Sequence, residues 1–192
     1  MATTKGERRR AELISAAAGI LLADGIEAIS HRAVATAAGV PLGATTYYFA
    51  TLDDLRQAAV DALVASDITR MDSATSGLAT RERGARATAR MIVTLLTPSD
   101  PRELIAWYER YVRSARDPLL AGAAQRTNAA ARAHTATVLE RSGWASTLPA
   151  DVVLAVVDGA VIGALAEGRS PSGARTAAAE GLRIVLERCR PG

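Results

Sequence analysis

Three times in this chain a residue able to cap a helix stands directly before a proline, at Asp100-Pro101, Asp117-Pro118 and Ser170-Pro171. That pairing marks a helix start. The first side chain can accept a bond from an unsatisfied backbone N–H, and proline at the first helical position has no N–H to satisfy and a φ already near the helical value. Between these starts apolar residues recur with a 3.6-residue period, which predicts helices over roughly 83–97, 101–116, 118–142, 150–167 and 172–189. The upstream part is punctuated in the same way. Leu13, Ile14, Ala17, Ile20 and Leu21 trace a first helix over 7–24 that Gly25 stops. Ser30 caps a second through Val34, Ala35 and Ala38, ended by Gly39, and a third, very short one runs from Pro41 to near Phe49. Thr51 with Asp54 forms a capping box that opens a fourth, carried by Leu55, Ala58 and Leu63 toward Met71. Residues 72–83, rich in Ser, Thr, Ala and Gly, read as a loop. Alanine and leucine dominate and β-branched or aromatic runs are scarce, so the fold class is all-α, with about nine helices and no strand.

Composition removes several classes of function. Cys189 is the only cysteine, which excludes an intramolecular disulfide. The basic start is interrupted by Glu7, Glu12 and Asp24, and no run of about 18 uncharged apolar residues could span a bilayer, so a cytoplasmic protein with no membrane partner is expected. A helical-bundle enzyme is the rival reading from another class. Against it, the chain holds only two histidines, His31 and His134, no Glu-x-x-His pair, and no nucleophile-elbow, phosphate-loop or zinc-protease motif. No catalytic residue, metal ligand or cofactor is expected.

The segment from Ser30 to Phe49 carries the functional signal. A helix-turn-helix needs a small residue where its helices cross, which Ala35 supplies, and a glycine four residues later at the turn, which Gly39 supplies. Val34, Val40, Thr45 and Phe49 can fix the second helix onto the first. The outward set is then His31, Arg32, Leu42, Gly43, Ala44, Thr46, Tyr47 and Tyr48, all polar or small enough to approach DNA. Two adjacent helical positions cannot both face a core, so at least one tyrosine is exposed, and Tyr47 is the better candidate. His31 reads as a capping-turn or phosphate-contacting residue rather than a metal ligand. Arg8, Arg9 and Arg10 are either a solvated tail or non-specific phosphate contacts. Residues 1–56 contain six Lys/Arg and six Asp/Glu, so charge alone would not have suggested DNA.

The order and spacing of these features resemble the head of the TetR family of bacterial regulators. The likeness covers residues 8–56: a helix, Gly25, a short helix, A-x-x-A-G-V from Ala35 to Val40, G-x-x-x-x-x-F from Gly43 to Phe49, and D-D-L at Asp53 to Leu55. It implies that Arg32, at the start of the second helix beside its cap Ser30, reads a base edge, for which arginine can donate two bonds to guanine. It also implies that Gly43, Ala44 and Thr46 face bases, and that Tyr47 and Tyr48 bind phosphate. Two positions depart from the family pattern: Thr46 stands for a frequent tyrosine and Leu52 for a frequent lysine.

The resemblance divides the chain into a DNA-binding domain at 1–52 and an effector-binding and dimerisation domain at 53–192. The run Asp151 to Leu165 is apolar on nearly every side, and Ala155, Gly159 and Gly163, with Ile162, offer a ridge that a second helix can approach. Ala178, Gly181, Leu182 and Val185 form a stripe on the last helix. Both segments are expected at a homodimer interface built from the final two helices, although they could instead belong to a monomeric core. Leu104, Trp107, Tyr108 and Tyr111 recur at i, i+3, i+4 and i+7. That stripe is either plain core or one wall of an effector pocket to which Met91, Leu95, Asn128 and His134 contribute. The whole reads as a dimeric repressor that binds palindromic operator DNA and is released by a small-molecule effector of unread chemistry. A constitutive or activating regulator without effector is the alternative.

Overall fold

The computed structural model describes residues 5–145 and 148–189. Among them there is no strand, and the chain forms nine α-helices. These are α1 (Lys5–Asp24), α2 (His31–Ala38), α3 (Leu42–Tyr48), α4 (Leu52–Thr75), α5 (Ala85–Leu96), α6 (Pro101–Arg113), α7 (Pro118–Arg141), α8 (Ala150–Ala166) and α9 (Pro171–Cys189), with a 3-10 turn, Ile26–Ala28, after α1. The helix starts fall where the capping signals put them. Ser30 Oγ accepts from the Ala33 amide at 3.1 Å, and Asp100 Oδ1 accepts from Arg102 at 2.8 Å. Asp117 Oδ1 accepts from Leu119 at 3.0 Å and Ser170 Oγ from Gly173 at 3.1 Å. The capping box closes in both directions, Asp54 N to Thr51 Oγ1 at 3.0 Å and Thr51 N to Asp54 Oδ2 at 3.1 Å.

The boundaries differ from the sequence reading by up to three residues in α5 and α6, and by more at the end of α4. Asp72 to Thr75, expected to open a loop, are the last residues of α4. The Thr75 hydroxyl donates back to Met71 O at 3.1 Å, a local bond that lets threonine sit inside a helix. The loop that follows is held by its backbone. Arg81 N and Arg83 N donate to Arg141 O and Ser142 O at 2.9 and 3.1 Å, and Trp144 Nε1 donates to Arg83 O at 2.8 Å.

The chain forms two compact units. The first takes the chain through Ser66 together with Glu109–Ala124. Here α1 packs on α2 and α2 on α3. Leu13, Ala17 and Leu21 from α1 are buried, as are Val34 and Ala35 from α2 and Phe49 after α3. Thr45 is buried with its hydroxyl satisfied by Leu42 O at 2.7 Å, which removes the penalty of enclosing a polar group. Glu27 in the 3-10 turn receives Arg113 at 2.6 Å and Arg56 at 3.5 Å.

The second unit takes Asp67–Tyr108 together with the chain from Gln125. Its core is centred on α9, which packs along both α8 and α5. Ala174, Ala178, Leu182 and Leu186, four residues apart, are all fully buried, and α8 presents Val153, Val157 and Val161 in return. Ala178 and Leu182, expected at a subunit interface, are therefore enclosed by the protomer's own core. Periodicity identifies an apolar face but not which neighbour covers it. No helix among the described residues is long and apolar enough to cross a membrane.

Two glycines of the first unit separate conformation from space. Gly39 ends α2 at φ 64°, in the left-handed region, whereas Gly43 lies inside α3 with nothing near the place a Cβ would take. Gly39→Ala should destabilise the protein by about 1 kcal/mol and Gly43→Ala stabilise it by roughly 0.5 kcal/mol, measured from urea midpoints.

Candidate functional site

The turn between α2 and α3 is locked by its backbone. The Gly39 N–H donates to Thr36 O at 3.2 Å and the Val40 N–H to Ala35 O at 3.0 Å, so a left-handed glycine closes α2 and aims the chain into α3. Leu42, Gly43, Thr46 and Tyr47 are exposed on α3, and Arg32 is exposed at the start of α2. Ala44 and His31 are half-buried, and His31 Nδ1 has no hydrogen-bond partner among the described residues. The two tyrosines part company. Tyr47 is 81% exposed, whereas Tyr48 is half-buried, and a Cβ added at Gly6 of α1 would lie 3.7 Å from its hydroxyl. Their rings meet edge to face with centroids 5.0 Å apart, so Tyr48 braces the ring that stands in solvent.

The three N-terminal arginines are helical and point different ways. Arg9 pairs with Glu12 at 2.7 Å, and the Arg10 guanidinium lies 5.1 Å from the Phe49 ring centroid. Arg8 and Arg32 make no ion pair or hydrogen bond among the described residues, and both keep their donors for an outside acceptor. Leu52, at the position of the missing lysine, is half-buried at the start of α4.

In the second unit the α6 stripe joins the core: Leu104 and Tyr108 are buried and Trp107 is half-buried against them. Leu95 is buried, Met91 packs beside the cluster, and Asn128 is half-buried on α7. Tyr111 belongs to the first unit. His134 is engaged by its own neighbours, with Nε2 3.0 Å from Asp72 Oδ1 and Nδ1 2.9 Å from Thr75 Oγ1. Two charged groups that the sequence pattern did not single out sit at this core. The Tyr108 hydroxyl donates to Asp158 Oδ1 at 2.9 Å, and burial raises the Asp158 pKa above the usual carboxylate range despite that bond. Arg70 donates to Leu95 O at 2.5 Å with its guanidinium 5.9 Å from the Trp107 ring centroid, and burial lowers its pKa. For Asp158 a signal was present, since it is the lone acid inside the apolar run from Val152 to Leu165.

The outer face of α8 is bare in the protomer. Ala155, Gly159, Ile162 and Gly163 are exposed, with Val152 on the same side. On α9, Gly181 and Val185 are half-buried and Ile184 is 40% exposed.

The comparisons with known proteins agree with this arrangement. Residues 79–188 match the family described as the tetracyclin repressor-like, C-terminal domain. The multidrug binding protein EbrR, solved in complex with imidazole, is 33% identical with a TM-score of 0.67, over 96% of each chain. The same protein complexed with proflavin is 30% identical with a TM-score of 0.65, over 95% of this chain and 99% of that one. A TetR family member from Streptomyces coelicolor A3 is 31% identical with a TM-score of 0.64, over 96% of this chain and 99% of that one. Among curated proteins none matches. With its helix-turn-helix head, its all-helical fold and these relatives, the chain belongs to the TetR family of transcriptional regulators.

Proposed function

We propose that the protein is a homodimeric repressor that binds a palindromic operator through α2 and α3 and leaves it when a small molecule occupies the second unit. The observation that carries the DNA reading is the exposed face of α3 together with the exposed Arg32 of α2: a short helix, entered through the left-handed turn at Gly39, whose outward residues apart from Leu42 are small, polar or the tyrosine Tyr47, and an arginine with no carboxylate partner among the described residues. Gly43 and Ala44 let the helix backbone come close to base edges, Arg32 reads guanine, and Tyr47 anchors a phosphate. In this reading residues 1–52 are the DNA-binding domain and 53–192 hold effector and partner.

The dimer reading rests on the bare apolar face of α8. Small residues at 155, 159 and 163 let a second copy's helix approach closely, and a twofold pairing sets two α3 helices about 34–36 Å apart. The exposed Ile162 and Ile184 supply the apolar surface that such contact removes from water.

For the effector, EbrR has been solved with imidazole, proflavin, ethidium and malachite green, of which the last three are extended aromatic cations. In this chain the half-buried Trp107 offers aromatic surface beside the buried Tyr108, and Asp158 offers a half-buried carboxylate whose ionisation burial opposes. A cation beside it supplies what lost water took away, so the ligand stabilises one state of the core more than the other and shifts the equilibrium between them.

Arg32→Ala should weaken binding to the promoter upstream of the protein's own gene by about tenfold or more, and Tyr47→Ala should weaken it with little change in sequence preference. Unchanged affinity in both variants would overturn the assignment of the DNA face. Ile162→Glu places a charge on the bare face without opening the core. Sedimentation should then show a monomer at micromolar concentration with helical content intact, while a dimer would sink the interface. Since the folded pKa of Asp158 is raised, its ionisation costs stability as pH climbs from the usual carboxylate range through that raised value. Asp158→Asn should therefore melt with the wild type in acid and about 2 °C above it at neutral pH, while losing affinity for proflavin. Equal proflavin binding would remove the carboxylate from the effector site.

A further inference from the structure

The groove between α5 and α9 carries charge that neither the DNA face nor the aromatic core uses. The helices run antiparallel. Arg175, near the start of α9, donates from Nε to Thr97 Oγ1 at 3.0 Å just past the end of α5, while Arg183, two turns later, lines the groove with Arg86 from the first turn of α5. The groove is open to solvent on one side and holds about 450 Å³, within the range of small-ligand sites. Four guanidinium groups line it, from Arg86, Arg90, Arg175 and Arg183, against one carboxylate, Glu180.

Those charges are not equally available. Arg183 donates to both Glu180 oxygens, at 3.0 and 2.5 Å, and to Glu187 on its other side. The Glu180 carboxyl is held below its ordinary pKa first by the Arg183 hydrogen bonds and also by the nearby charge of Arg86, while Arg183 is divided between Glu180 and Glu187. Arg86 and Arg90 make no ion pair or hydrogen bond among the described residues, and Arg175 has a hydroxyl rather than a carboxylate for a partner. Three cations thus share one cavity whose single lining carboxylate, Glu180, is already bonded to Arg183. Like charges gathered this way repel unless a counter-charge arrives. Arg86 and Arg90 are one turn apart, about 6 Å along α5, and Arg175 lines the other wall farther along the groove, toward the C-terminal end of α5 where it bonds Thr97. A point anion could satisfy one of them, whereas a chain of charged oxygens satisfies all three. Planar guanidinium groups match phosphate oxygens in pairs. Thr94, whose hydroxyl has no bond of its own among the described residues, adds a neutral donor on the α5 wall.

We propose that the α5–α9 groove binds a small oligophosphate, free or as part of a nucleotide, through Arg86, Arg90 and Arg175. The proposal is independent of the operator and effector readings, which use other residues. It is tested on the full chain by calorimetry with inorganic triphosphate and, separately, a nucleoside triphosphate. Both should bind, and the double variant Arg86→Gln/Arg90→Gln should bind each at least about tenfold more weakly with an unliganded melting temperature no lower than the wild type's, since neither side chain makes a hydrogen bond or ion pair among the described residues. Equal affinities for the two probes identify the phosphate chain as the whole ligand, and a tighter nucleotide adds contacts to the base or sugar within the same groove. Absence of binding by either probe at about 1 mM in moderate salt overturns the proposal. So does binding that survives in the double variant but is lost in Arg8→Gln/Arg9→Gln, which would place the anion on the head.

Discussion

A chain built from helices alone must find partners for the backbone groups left over at every helix end, and the rest of this structure depends on how it does so. Side chains at Ser30, Thr51, Asp100, Asp117 and Ser170 take the first amides of five helices. The Gly39 turn takes the last carbonyls of α2. These bonds are individually small, about 1 kcal/mol each, yet they fix where each helix begins and therefore which residues face inward. An α2 ending one residue later would leave Val34 and Ala35 where they are but swing the chain that enters α3 by about 100°.

This dependence on local bonds explains what was legible in the sequence. A cap and its amide lie two or three residues apart, so helix order, most boundaries and the α2–α3 turn could be read from the chain, and Tyr47 could be placed in solvent by counting. What was not legible lies in bonds between residues far apart in sequence. Nothing near Thr75 announces that His134 will meet its hydroxyl, and nothing near Tyr108 announces Asp158. The α9 stripe shows the same limit from the other side. Its periodicity is real, but whether Ala178 and Leu182 meet α8 or a second copy is decided by the neighbour that reaches them first. The effector residues were the least legible, because a core aromatic and a ligand-binding aromatic share one pattern.

Charge follows a similar logic. Net charge said little, since residues 1–56 balance, but the partners of individual arginines say more. Arg9, Arg56, Arg113 and Arg183 spend their donors on carboxylates within the protein. Arg70 is held in the core by carbonyl bonds and an aromatic face, where burial lowers its pKa without removing its charge at neutral pH. Such residues hold structure together. Arg8, Arg32, Arg86 and Arg90 make no hydrogen bond or ion pair among the described residues, Arg86 having only the longer-range charge of Glu180, and an arginine in that condition is where an external anion gains most.

The two sets of unengaged arginines sit in settings that ask for different anions. Arg32 is exposed at the start of α2, and α2 packs on α3, whose Gly43 and Thr46 are exposed too, a setting open to a surface that wraps around a helix as a DNA groove does. Arg86 and Arg90 stand in a concave groove between two long helices, too narrow for a duplex about 20 Å across and suited to something that fits within it. The same side chain on the same protein is thus directed to different partners by curvature alone. Curvature in turn is set by helix packing: α3 is short and is entered through the Gly39 turn, while α5 and α9 are long enough to run side by side and leave a trough between their polar edges.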